Sequence, residues 1–230
     1  MRRHALGDGR TAGRPGDLPL LRNRERYMKF MSCEEACRIV AGLAKDDVIV
    51  ITMSTMKVFP GVAPQANFVS CVPLMGGASA LGLGIAVARH DVRVWVLDGD
   101  ASLLMELGSL VTVAEAMPKN LIHLLFDNRV QYGGTANLAI PRAGGVDFCA
   151  MARAAGYPTA VEIDSTANMT STLADLPRDT GPAFVRVRVE PDPGYYTATT
   201  PQREIPDNQI TRMGDEARRV HKALQAGRNL

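Results

Sequence analysis

Long apolar runs are missing from this 230-residue chain. Nothing approaches the ~18 consecutive apolar residues of a membrane-spanning helix, so no membrane association is expected. The four cysteines, Cys33, Cys37, Cys71 and Cys149, make no CxxC pair and fit neither a zinc site nor an iron–sulfur spacing. Cys33 and Cys37, four residues apart on one predicted helix face, offer at most half a metal site. Reduced, partly buried thiols in a cytoplasmic protein are the expectation. No GxGxxG follows a strand-like segment, which weakens a dinucleotide reading, and no GxxxxGK[ST] occurs, which removes the P-loop. The first 30 residues lack the apolar centre of a secretory signal.

Charge is present but unevenly placed. Residues 1–30 hold eight Lys/Arg against three acids, a balance of +5, and the remainder holds 18 against 21, a balance of −3. A mildly acidic body argues against a nucleic-acid surface. Residues 1–30 therefore read as a basic, disordered leader, 31–190 as one α/β domain, and 191–230 as a Pro-rich connector with an amphipathic C-terminal helix.

From Ser32 the pattern becomes regular. SCEEACRIVAGLAKDD is an amphipathic helix, with Ser32 and Glu35 spaced as a capping box. DVIVIT and NFVSCVP read as strands, GGASALGLGIAVARH as a small-residue helix, and VRVWVL as a central parallel strand without polar alternation. A helix is predicted from Ser102 to Met117 and a second central strand over NLIHLLF. An irregular loop follows, long enough to suggest function. VDFCAMARAAG (helix), TAVEI (strand), STANMTSTLADL (helix) and PAFVRVRVE (strand) complete the alternation. This order implies an open, mainly parallel sheet with helices on both faces.

The chemistry concentrates where two central strands end. VRVWVL runs into DGDAS and NLIHLLF into DNRVQYG, and ligands of parallel α/β sheets bind outside the carboxyl ends of strands. Neighbouring strand ends would bring Asp100 and Asn128 to one point. A carboxylate, a carboxamide oxygen and a backbone carbonyl suit Mg²⁺, which keeps positions for water and substrate phosphates. The residues thus suggest magnesium with a phosphate-bearing ligand. Asp98 reads as a turn cap, His123 as a buried core histidine, and Glu106 as facing solvent or a subunit contact.

Gly99-Asp100-Ala101, 26 residues, then Asn128 resembles the diphosphate–magnesium motif of thiamine diphosphate-dependent enzymes. VPLMGGASALGLGIAVA, PKNLIHLLFDN and QYGGTAN extend the resemblance over roughly Ser32 to Glu190. They are similar to the diphosphate-binding (PP) half of 2-oxo acid decarboxylases of the sulfopyruvate/phosphonopyruvate type. The resemblance implies a thiamine diphosphate-binding fold, with Asp100, Asn128 and the Val130 carbonyl as Mg²⁺ ligands. It places Gly99, Ala101 and Ser102 against the diphosphate and makes Met75 the prop of the bent cofactor. Pro73 and Leu74 would line the aminopyrimidine, with the Pro73 carbonyl as acceptor. Tyr132 and Gly133 lie where the loop crosses the cofactor, and Thr135 is a candidate for substrate contact. Arg129 and Arg142 could meet an anionic substrate tail, or stand solvated.

Three departures from the family pattern stand out. Ala101 replaces the commoner glycine. NRVQYG is one residue longer than N-x-x-Y-G, which leaves the third metal ligand open. The loop Arg129–Val146 contains no Asp or Glu, so the proton-transfer acid of pyruvate decarboxylase-like enzymes has no counterpart there. The key glutamate of the family sits on a pyrimidine-binding (PYR) domain, for which these residues leave no room. The resemblance therefore implies a β-type subunit active only with a PYR-domain α-type partner, as α2β2, on a small 2-oxo acid. The alternatives are a carboligase half of acyloin or acetolactate type, and a non-catalytic phosphate-ligand-binding module. A ferredoxin-linked oxidoreductase subunit is disfavoured by the cysteine spacing.

Overall fold

The structure, a computed structural model, describes residues 30–72, 74–133, 137–177, 180–192 and 208–226. The basic leader to residue 29, the sites Pro73 and Thr135, and most of the Pro-rich connector lie outside the described residues. The capping box forms as read. The Ser32 hydroxyl accepts the Glu35 N–H at 3.1 Å, and the Glu35 carboxylate accepts the Ser32 N–H at 2.8 Å. Helix α1 (Cys33–Ala44) begins there. Then come β1 (Val48–Ile51), α2 (Ser54–Val62), β2 (Asn67–Ser70), α3 (Ala78–Ala88), β3 (Val94–Gly99), α4 (Asp100–Met105) and α5 (Ser109–Ala116). The second half runs β4 (Leu121–Asp127), β5 (Val130–Gln131), β6 (Leu138–Ala139), α6 (Phe148–Ala155), β7 (Thr159–Ile163), α7 (Thr166–Ala174), β8 (Ala183–Arg188) and α8 (Asn208–Ala226).

Six strands form one parallel sheet in the order β2-β1-β3-β4-β8-β7. Alternate residues of each strand serve opposite faces. Ile49, Ile51, Trp95, Leu97, Ile122 and Leu124 pack with α1, α2 and α7. Val48, Val50, Val94, Val96, Leu121 and Leu125 pack with α3, α5 and α6. Both faces are therefore apolar, which is why the strands lack a polar alternation. The chain steps outward from β1 to β2, then returns to place β3 on the other side of β1. A crevice consequently opens between the carboxyl ends of β1 and β3, the switch point at which such sheets bind ligands.

Two features differ from the sequence reading. The helix predicted over residues 102–117 is two helices, because the chain turns at Glu106–Gly108. Helix α2 was not foreseen; Pro60 sits inside it, a residue that breaks helical patterns in sequence. The C-terminal helix packs on the sheet edge. The Glu216 carboxylate accepts the Ser70 N–H at 2.8 Å, and the Arg219 guanidinium lies 4.6 Å over the Phe68 ring. An edge strand covered in this way has fewer free backbone groups for stray pairing.

Candidate functional site

A cavity of about 730 Å³ opens at the switch point, within the roughly 300–1,000 Å³ usual for small-molecule sites. The loop after β1 supplies one wall through Thr52 to Lys57, and the β3–α4 junction supplies another through Asp98 to Ser102. Val72 and Met75 enter from the segment before α3, and Asn128, Val130, Tyr132 and Gly133 from the segment after β4. Nine of the anticipated residues thus share one cavity: Met75, Gly99, Asp100, Ala101, Ser102, Asn128, Val130, Tyr132 and Gly133. Leu74 does not line it; its side chain is exposed and leans over Gly77. Neither loop arginine lines it. Arg129 lays its guanidinium 5.2 Å over the Phe30 ring, and Arg142 is exposed.

The pairing of β3 with β4 explains why the two halves of the motif meet. Leu97 sits opposite Leu124 and Gly99 opposite Phe126, so both strands deliver their next residues to the same edge. Asp100 opens α4 and is buried. One of its oxygens accepts the Ala101 N–H at 2.7 Å and the other the Arg129 N–H at 2.6 Å. Burial pushes this carboxyl up to about 8, aided by the Asp127 charge and a hydrogen bond between the two carboxyls, against the two backbone donors. Arg186 does not relieve it, because that guanidinium is engaged by Asp127 and Glu162. A divalent cation is the partner that would reverse such a shift.

The neighbouring donors fit one. Asn128 Oδ1 accepts the Val130 N–H at 3.0 Å and retains a second lone pair. The Ile140 N–H donates to the Arg129 carbonyl at 3.1 Å, and Val130 pairs with Ala139 in the small antiparallel ribbon of β5 and β6. That pattern makes Val130–Ala139 a non-hydrogen-bonded pair, leaving the Val130 carbonyl outside the ladder. Arg129 precedes Val130 at φ 64°, and the Val130 carbonyl is a candidate third oxygen. Carboxylate, carboxamide and carbonyl form a hard-oxygen set appropriate to Mg²⁺. Among the described residues, no cluster of three or more His, Cys, Asp or Glu side chains could hold a metal, so the four buried cysteines make no competing site.

Asp98 does more than cap the turn. Its Oδ1 accepts the Gly99 N–H at 2.8 Å, while Oδ2 meets His123 Nε2 at 3.2 Å. His123 Nδ1 lies 3.2 Å from the Tyr157 hydroxyl. Burial, then the Asp98 charge, raises Tyr157 far above a normal phenol, so the hydroxyl is the donor to Nδ1. The network accordingly assigns the ring proton to Nε2, which donates to Asp98. His123 is the core histidine anticipated, with a partner that its own segment did not reveal.

Sequence reasoning missed Met53 to Lys57. Lys57 donates to the Gly133 carbonyl at 2.7 Å and so ties α2 to the loop on the opposite wall. The readable signal was the polar STMK immediately after a central strand. Strain also gathers here: Met53, Arg129 and Tyr132 all have positive φ, at 52°, 64° and 55°, as is common where a ligand must be gripped.

Residues 51–187 match the family described as thiamine pyrophosphate enzyme, C-terminal TPP binding domain. A phosphonopyruvate decarboxylase of Streptomyces viridochromogenes is 34% identical over 194 residues, 82% of this chain and 45% of that protein. The chain thus spans less than half of that relative's length. The sulfopyruvate decarboxylase subunit beta of Methanothermobacter thermautotrophicus is 32% identical over 158 residues, 68% of this chain and 81% of that subunit. A putative thiamin diphosphate-dependent enzyme of Mycobacterium smegmatis shares the fold, with a TM-score of 0.59 over 70% of this chain and 32% of that one, at 20% identity. With the family match covering more than half of its length, the chain belongs to the thiamine pyrophosphate enzymes and carries their C-terminal TPP-binding domain.

Proposed function

We propose that this chain is the diphosphate-binding, β-type subunit of a heteromeric, Mg²⁺-dependent 2-oxo acid decarboxylase of the sulfopyruvate/phosphonopyruvate type. The observation that carries the reading is the hard-oxygen set of Asp100, Asn128 and the Val130 carbonyl at the switch point of a TPP-binding fold. Its likeness to a protein named as a beta subunit, spanning 81% of that subunit, supports the heteromer. The needed partner is an α-type chain with a PYR domain.

Thiamine diphosphate, when bound, supplies the electron sink for loss of CO₂ from a 2-oxo acid. This chain's residues bind and orient. Asp100, Asn128 and the Val130 carbonyl would hold a divalent cation, which would supply positive charge for the diphosphate. Ser102 helps to fix the opposite wall, since its hydroxyl accepts the Gly76 N–H at 2.8 Å. Met75 and Met53 contribute apolar wall to the cavity. The activating glutamate would arrive on the partner.

Calorimetric titration with thiamine diphosphate and Mg²⁺ tests the proposal. Binding should require Mg²⁺ and tighten when the α-type chain is added. Asp100→Ala should weaken binding more than about 100-fold while the circular dichroism spectrum is kept. Unaltered binding by that variant, or decarboxylation by this chain alone, would overturn the proposal.

A further inference from the structure

Among the described residues, Lys57 is the one cationic side chain lining the cavity. Arg129 and Arg142, the cations that the sequence offered for an acidic substrate tail, do not line it. Lys57 stands on the first turn of α2, and its ammonium donates to the Gly133 carbonyl at 2.7 Å. An ammonium has three donors, so this bond leaves capacity for an anion at the same place. The Asp192 carboxyl feels its charge, yet among the described residues Lys57 enters no ion pair within 4 Å.

The remaining charges of the cavity explain why a cation matters there. Asp98 and Asp100 are the other ionisable groups with acidic character in the lining. The first is satisfied by His123 and the second is assigned to the metal. A substrate with two acidic groups would enter a cavity whose other lining side chains are apolar, neutral polar or acidic, and desolvating an anion without a cationic partner is costly. We propose that Lys57 is the specificity-determining residue that pairs with the second acidic group of the 2-oxo acid, a sulfonate or phosphonate. The inference rests on the decarboxylase reading above and deepens it. Because Lys57 also ties α2 to Gly133, an anion engaging the ammonium would be sensed directly by the loop that carries Val130 and Tyr132.

The test uses the complex of this chain with its α-type partner, as wild type, Lys57→Met and Lys57→Arg. Steady-state rates are compared for a dianionic substrate (sulfopyruvate or phosphonopyruvate) and for pyruvate, which lacks the second group. Loss of a charge-assisted contact should raise KM for the dianion about 10–100-fold in Lys57→Met, with less than about threefold change for pyruvate. Lys57→Arg should recover part of the loss. Titration with thiamine diphosphate and Mg²⁺ should give affinities within about threefold of wild type for both variants. Lost cofactor affinity would overturn the proposal by assigning Lys57 to the diphosphate. Equal impairment with both substrates would overturn it by reducing Lys57 to a loop tie. If the wild-type complex decarboxylates neither substrate, the decarboxylase reading has failed, and Lys57 is then judged by binding alone. Sulfoacetate, an unreactive dianion, should bind the cofactor-loaded wild-type complex at least about tenfold more tightly than Lys57→Met, and equal binding overturns the assignment.

Discussion

Asp98 and Asp100 are separated by one glycine and are hidden from solvent alike, at 0% and 2% exposure. Their surroundings are nevertheless opposite. Asp98 has a complete set of partners inside the chain: the Gly99 N–H, His123 and, through it, Tyr157. Asp100 has two backbone donors, but it faces a second carboxyl, Asp127, and is pushed up to about 8. A buried carboxylate that the fold itself satisfies is part of the scaffold. One that the fold leaves electrostatically discontented needs something from outside. Alternation along β3 separates the two roles, since Asp98 points to the α3/α5/α6 side and into the His123 network, whereas Asp100 begins a helix at the cavity.

The most damaging way to break this contrast is Asp98→Ala. It removes the acceptor of the His123 Nε2–H and of the Gly99 N–H at a fully buried position, so stability should fall by about 2–4 kcal/mol. Urea unfolding of the cofactor-free chain measures it, and a loss under about 1 kcal/mol would mean that the network is incidental to folding. Asp100→Asn should do the reverse. The folded state holds the Asp100 proton more tightly than the unfolded chain, so its contribution is fully present below the ordinary carboxylate value of 3.8 and is lost as pH rises through about 8. The cofactor-free wild type should therefore lose stability across that window, whereas the asparagine variant should lack the decline. At pH 8 the variant should be the more stable by about 1–2 kcal/mol, yet Mg²⁺ and thiamine diphosphate should no longer stabilise it. Parallel pH profiles for the two proteins would contradict the electrostatic account. A milder cut at the Asp98 side, Tyr157→Phe, removes one hydrogen bond to His123. It should cost about 1 kcal/mol and leave Mg²⁺-dependent binding within about twofold, read by thermal melts and titration.

How far these residues were legible differs along the chain. The β3 and β4 segments announce themselves because strands buried on both faces must be apolar throughout, and the motif follows each at once. Asp100 and Asn128 were therefore expected to meet at neighbouring strand ends, and the pairing of β3 with β4 brings both to the cavity lining. The partner of Asp98 was not legible, because the link to His123 depends on strand order and on which face each residue uses. Asp98 looked like a turn cap, and it does cap Gly99, but half of its carboxylate is spent elsewhere. The wall from Met53 to Lys57 was missed for a local reason: Pro60 and Gly61 within α2 are breaker signals that tertiary packing of Phe59 and Met56 overrides. The arginines of the long loop were read as anion partners or as solvated side chains, and neither lines the cavity. Their type suited an anion, but backbone direction at Arg129, φ 64°, sends the side chain to Phe30.

The smallest effect should come from Gly133, and it probes the ligand side of the contrast without touching a carboxylate. A Cβ built there would lie 2.9 Å from Ser54 Oγ and 3.2 Å from Asn128 Nδ2. Its φ is not in the left-handed region, so alanine meets no backbone penalty, and the crowding must be relieved by movement of Ser54 or Asn128. Asn128 already spends Oδ1 on the Val130 N–H, so displacing its amide disturbs two of the three proposed metal oxygens together. Gly133→Ala should weaken Mg²⁺ affinity about 3–10-fold, measured by Mg²⁺ titration at saturating thiamine diphosphate, with melting of the cofactor-free chain nearly unchanged. An equal loss in melting temperature and affinity would instead show that Gly133 supports the fold as Asp98 does, and the division between a satisfied side and a waiting side would have to be redrawn at this loop.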